Sequence, residues 1–132
     1  MEVAIERLTA MALIVTGLSH ITAPRAWARF FIAIREQGEM AGFLNAYVHM
    51  PLGLLIVAFH PVWRGPGLLV TLIGCGLTLK GALHFIWPKL SQRTLAHVDE
   101  GKAGGFQVAG AFGVVLGLAV GWIALDGAGL PV

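Results

Sequence analysis

The sequence predicts an all-α polytopic membrane protein, with four transmembrane helices built as two parallel two-helix repeats and amphipathic helices at the interface. Three observations carry that expectation. The 132 residues are 57% apolar and 12% charged, with a mean hydropathy of +0.79; ordinary soluble domains are about one quarter charged. Four stretches, 3–23, 40–60, 66–87 and 104–125, are apolar and long enough to cross about 30 Å of hydrocarbon at about 1.5 Å per residue. Finally, the chain repeats itself. Gly17, His20, Pro24 and Arg25 return 64 positions later as Gly81, His84, Pro88 and Lys89. Without a gap, the same offset pairs Leu8 with Leu72, Leu13 with Leu77, Arg29 with Arg93 and Glu36 with Glu100. It also sets Leu52-Gly53-Leu54 on Leu116-Gly117-Leu118. Periodicity of this kind constrains the fold before any local reading. The chain is therefore read as one membrane domain, with repeat 1 over about residues 3–60 and repeat 2 over about 66–125.

The first span follows Glu2, Glu6 and Arg7, which shorten its fully apolar part. A cleavable signal wants a basic start and a small-residue cleavage site, so this helix is expected to remain in the mature protein. In segment 24–39, Trp27, Phe30, Phe31 and Ile34 fall at i, i+3, i+4 and i+7, with Arg25, Arg29 and Glu36 largely elsewhere around the helix. That is an amphipathic helix suited to lying in a membrane interface. Pro61, Gly65 and Pro66 then separate the second span from the third. Segment 88–103 repeats the amphipathic pattern weakly, through Leu90, Thr94, Leu95 and Val98. Each unit thus reads span, surface helix, span. Two crossings per unit make the repeats parallel, related by a pseudo-twofold axis along the membrane normal.

The net charge of +2 and the pI near 9.1 come from bases that flank apolar spans, a pattern of membrane topology rather than of nucleic-acid binding. Arg25, Arg29, Arg35, Lys89, Arg93 and Lys102 lie in the two long connections, against Arg7 and Arg64 on the other side. By the positive-inside rule both connections face the cytoplasm and both termini face away from it. In the fourth span Ala109, Gly113, Gly117 and Gly121 recur every four residues. Such a stripe of small residues lets helices approach closely in lipid, with Gly74, Thr78 and Ala82 of span three, or Gly42 and Ala46 of span two, as expected counter-surfaces. The lone Cys75, inside an apolar run, reads as a small packing residue.

Ionisable residues within spans carry what chemistry there is. His20 and His84 each sit one turn before a helix-ending proline. They either donate to the last free carbonyls or, brought together by symmetry, ligate a haem iron or metal from two sides. Lys80 either snorkels toward headgroups or places a charge within the bundle. His49 shares a helix face with Asn45, while Pro51 frees the Tyr47 carbonyl, which then wants a donor. It reads as a bond within the bundle or as a ligand or ion site. His60, beside Pro61 and Trp63, is expected at the interface turn. The carboxylates all fall near the span boundaries, which argues against a carboxylate proton relay. No phosphate loop, paired cysteine, zinc-protease motif or serine triad is evident.

The stretch Phe59-His60-Pro61-Val62-Trp63, followed by Thr71-Leu72-Ile73-Gly74, Lys80-Gly81, Phe85 and Pro88, resembles a pattern in small, uncharacterised four-helix bacterial membrane proteins. The chain departs from that pattern at Pro61, where asparagine is expected, and at Cys75, where tryptophan is. The resemblance covers about residues 50–90 and implies a bacterial inner-membrane location. It implies no activity, and draws attention to His60 and Trp63.

These observations lead to a non-enzymatic integral membrane protein without a cofactor, an accessory subunit or a self-associating scaffold embedded in the lipid bilayer. The alternatives are a small oligomeric transporter or channel lined by His49, Lys80 and the pair His20 and His84, or a bis-histidine haem or metal carrier using His20 and His84. The predicted topology has a direct test. A reporter fused after Val132 is expected to be active only outside the cytoplasm, and activity confined to the cytoplasm would contradict the orientation.

Overall fold

Three prolines set the punctuation of the chain. A proline restricts its predecessor to extended backbone, which ends a helix. Ala23, His60 and Trp87, each before a proline, adopt φ of −130°, −135° and −127° and cap the helices that precede them. Their N–H groups still reach the carbonyls four residues back, Ser19, Ile56 and Leu83, at 2.8–2.9 Å. The computed structural model describes residues 1–127, and the predicted C-terminal side at Val132 lies outside the described residues. Its helices are α1 (Glu2–Thr22), α2 (Pro24–Glu36), α3 (Met40–Phe59), α4 (Leu68–Ile86), α5 (Lys89–Leu95) and α6 (Gly104–Gly127), with a 3-10 turn at Glu100–Lys102. Among the described residues there is no strand. Four helices, α1, α3, α4 and α6, are long and apolar enough to cross a membrane, within a few residues of the predicted spans.

Two other turns need left-handed backbone, and glycine supplies it: Gly38 between α2 and α3 at φ +64°, Gly65 between α3 and α4 at φ +63°. Helix α5 is shorter than its counterpart α2, 7 residues against 13. Its end is held from outside, because the Arg35 guanidinium of α2 donates to the carbonyls of Leu95, Ala96 and Val98 at 3.1–3.4 Å. All three contacts are made by Nη1, whose two hydrogens are shared among the three carbonyls.

The long helices pack as two pairs, α1 along α6 and α3 along α4, with sparse contact between the pairs. Each pair is built on glycines that admit the neighbouring backbone. A Cβ on Gly117 would lie 2.7–3.0 Å from Ile14 and the Ala10 carbonyl, and one on Gly53 would collide with Thr78 and the Gly74 carbonyl. A Cβ on Gly17 would meet Val114 at 2.9 Å, and one on Gly81 would meet Met50 at 2.5–2.7 Å. These four contacts form two sets whose residue numbers differ throughout by the same 64 positions.

The small-residue stripe behaves differently from its prediction. Gly117 is a close contact, but Gly113 and Gly121 have ordinary van der Waals space at 3.6 and 3.8 Å, and Gly110 takes the tight position against α1. The counter-surface is α1 rather than span two or three; Gly74, Thr78 and Gly53 pack against one another inside the α3–α4 pair. A face defined by residues four apart drifts around a helix of about 3.6 residues per turn, so the tight positions recur at seven, Gly110 and Gly117. Where the pairs meet, Ile5, Ala10, Ile56, Val70 and Val120 form the buried core.

Gly117→Ala and Gly53→Ala should each destabilise the chain by about 1–3 kcal/mol through forced separation of backbones. Gly76→Ala, where nothing lies within 4 Å, should be neutral or stabilise by up to about 1 kcal/mol, since alanine is the better helix former. Thermal unfolding of the three variants in detergent checks the ordering.

Candidate functional site

The glycine-set register of α3 against α4 brings His49 opposite Lys80. The Lys80 Nζ donates to His49 Nε2 at 2.9 Å. An imidazole that accepts at Nε2 keeps its proton on Nδ1, and His49 Nδ1–H donates to the Asn45 carbonyl at 2.7 Å. The ring therefore serves Asn45 and Lys80, not the Tyr47 carbonyl freed by Pro51. His84, one turn beyond Lys80 on the same face, donates from Nδ1 to the Lys80 carbonyl at 2.7 Å. His84 is only 4% exposed, and its Nε2 is buried without a protein partner, as is Asn45 Oδ1. His49 is half-buried and Lys80 is exposed. The result is a polar seam of Asn45, His49, Lys80 and His84 between two apolar helices.

The corresponding seam of the other pair is built from small groups. Thr16, His20, Ala109 and Gly113 stand 64 positions from Lys80, His84, Asn45 and His49, and they line a cavity of about 100 Å³ between α1 and α6. Thus the α1–α6 seam has open space at the positions where the α3–α4 seam has its long polar side chains. His20 nonetheless keeps the backbone bond of its counterpart, donating from Nδ1 to the Thr16 carbonyl at 2.8 Å. Its ring stacks on Trp27 at 4.1 Å and on Phe106 at 5.8 Å. Trp27 is fixed in turn by its Nε1–H, which donates to Ser19 Oγ at 3.0 Å. The aromatic face predicted for α2 therefore serves to dock that helix against α1 and α6 through Trp27, Phe31 and Phe106. His20 and His84 lie in different pairs, and neither a hydrogen bond nor a ring contact joins them. Among the described residues no three His, Cys, Asp or Glu side chains come together as a metal site.

A second polar cluster was not anticipated. His60 caps α3 at the turn, and its side chain is fully buried there. Its Nε2 lies 3.0 Å from Glu6 Oε1 and its Nδ1 3.1 Å from Thr71 Oγ1. The Thr71 hydroxyl lies 2.8 Å from both the His60 and the Val62 carbonyls. Its single proton must go to those carbonyls, so its oxygen accepts from His60 Nδ1–H. Nε2 would then oppose Glu6 lone pair to lone pair unless a proton lay between them. That shared proton leaves the pair with no net charge, whichever atom holds it. Neutrality is what makes a buried acid and base tolerable. Trp63, in the adjoining turn, is 59% exposed. The available sequence signal was Glu6 within the first span, next to Arg7 and so read as a boundary charge; its partner could be found only once α1 met α3.

Gly113, Gly117 and Gly121 contribute spacing rather than chemistry. Comparison of the chain with protein-family models, with curated proteins and with solved structures found no match.

A shared proton separates two substitutions at one position. Glu6→Gln keeps a neutral hydrogen-bonding partner for His60 and should cost less than about 1 kcal/mol. Glu6→Ala strands His60 Nε2 and should cost about 3 kcal/mol. A Glu6→Ala, His60→Ala double variant should fall short of the sum of the single losses by about 1–2 kcal/mol. Equilibrium unfolding of the four proteins provides the measurement.

Proposed function

We propose that this chain is a non-enzymatic integral membrane protein that acts by helix association, as an accessory subunit or a self-associating scaffold. One observation carries the reading. The ammonium of Lys80 stands on an exposed face of α4, bonded to His49 at 2.9 Å. It lies six residues from the helix end at Ile86, or about 9 Å inside it. A charge at the centre of a span costs about 2.5–3.5 kcal/mol on insertion scales and less toward its ends, so Lys80 bears part of that cost unless something covers it. Its bond to His49 turns the stem across to α3 instead of toward a headgroup. A second protein surface over this seam relieves the cost. The remaining histidines fit a structural role, because His20, His49 and His84 each commit Nδ1 to a backbone carbonyl of their own helix.

We further infer that the chain consists of two parallel repeats across a bacterial inner membrane, with both termini away from the cytoplasm. The glycine contacts at a common 64-residue offset support the repeat. Clustering of bases beside α2 and α5 supports the orientation. The location rests on the resemblance around residues 50–90.

Purification in a mild detergent tests the association. The wild-type chain is expected in a particle larger than its own 14.0 kDa, and Lys80→Met is expected to release the free chain. Identical monomeric particles from both proteins, or an undiminished complex from Lys80→Met, would overturn the reading.

A further inference from the structure

We propose that the α3–α4 seam docks a transmembrane helix of a different protein, and that this helix presents an Asp or Glu side chain to Lys80. The inference rests on the accessory-subunit reading and selects it over self-association.

The charge inventory excludes a second copy as the source of the acid. The chain has seven carboxylates: Glu2, Glu6, Glu36, Glu39, Asp99, Glu100 and Asp126. Glu6 is the one buried within the helices, and it is bound to His60. His60 stands eleven residues from His49 along α3, or about 16 Å away in depth. The other six lie at helix ends or in the connections, with Glu39 and Glu100 already beside Lys89 and Arg29. Copies in one membrane share one orientation, so none of these groups reaches the depth of Lys80 in a neighbour.

The cation of the seam selects the chemistry of the occupant. Lys80 has two N–H donors left after His49, and needs an acceptor that carries negative charge. His84 Nε2 and Asn45 Oδ1 are unpaired as well, but both atoms are buried inside the helix pair, so the group open to an outside helix is the Lys80 ammonium. An ionised carboxylate meets that demand, since it accepts from Lys80 and carries the opposite charge. A lipid phosphodiester resides at the surface, about 9 Å outward from Lys80. An acid on a helix lying along the seam reaches the site from the side. The α3–α4 pair is held in close helix contact through Gly53 and Gly81, which fixes where Lys80 stands on its surface.

The experiment uses the full chain in lipid nanodiscs with a fluorescently labelled leucine–alanine helix of about 20 residues. The helix carries one Glu at the depth of Lys80, or Gln there, or Glu moved to its opposite end. Energy transfer to a label on the protein should show the matched Glu helix binding at least about tenfold tighter than either control. Lys80→Met should abolish that preference and Lys80→Arg should retain it; His49→Gln provides a second variant should Lys80→Met fold poorly. Equal binding of the Glu and Gln helices would overturn the assignment of an acid. Lys80-dependent self-association without the helix would give the face to a second copy. Lys80-dependent loss of the preference on adding anionic lipid would give it to headgroups. Either result overturns the proposal. The accessory-subunit reading fails separately, if the native complex survives Lys80→Met.

Discussion

Backbone-to-backbone contact at Gly17, Gly53, Gly81 and Gly117 is the constraint on which the rest of the structure depends. In lipid there is no hydrophobic gain in joining two apolar helices, so close packing has to supply the attraction. Glycine allows that packing only at particular positions, and so fixes register as well as distance. With Gly53 against Thr78 and Gly81 against Met50, His49 has Lys80 as its neighbour. Chemistry in the seam is a consequence of sterics a turn away. A one-residue slip would carry the ammonium around the helix and leave the imidazole unpaired.

Polar groups in this protein face one requirement, a partner for each donor and acceptor, with two outcomes. Near the end of the bundle where α1 meets α3, Glu6, His60 and Thr71 settle their protons among themselves and remain buried without net charge. The requirement is met in full in neither place: Glu6 Oε2 stays unpaired in the first cluster, as do His84 Nε2 and Asn45 Oδ1 in the α3–α4 seam, where Lys80 also brings a cation. The Glu6–His60–Thr71 cluster joins the two helix pairs, whereas the seam faces outward. Burial decides between them: His60 has no exposed surface and Lys80 lies on the outside.

Much of the architecture was legible because its determinants are local. Helix ends came from prolines and span lengths from hydropathy, and both sets of boundaries agree within a few residues. What stayed hidden needed knowledge of which helices touch. Glu6 read as a boundary charge because its partner lies 54 residues away. Lys80 and His49 were each marked as costly, yet nothing along the chain linked them. The fourth-span stripe was visible, but its partner was misassigned, because a helix shows its small face without naming the helix that fills it. The 64-residue recurrence in the sequence held a clue. Gly17 and Gly53 recur as Gly81 and Gly117, so any pairing of first with second spans across the units had to appear twice.

Comparing equivalent positions shows where the two halves part company. Glu6 stands where the second half has Val70, and His60 where it has Ala124, both fully or almost fully buried. His49, Asn45 and Lys80 stand where the α1–α6 pair has Gly113, Ala109 and Thr16. The backbone contacts are retained on both sides, so neither polar cluster is needed to form a helix pair. Val70 and Ala124 pack the equivalent region with no hydrogen bond to satisfy, and a small cavity beside His20 does the same for the seam. Polar groups that a fold can do without, and that cost energy in an apolar surrounding, require a reason other than folding. In the Glu6–His60–Thr71 cluster that reason is orientation of one pair on the other, since a directional bond specifies what sparse apolar contact does not. In the seam no such contact between pairs is at stake. In the proposed complex the exposed Lys80 ammonium is the group that meets the partner's acid.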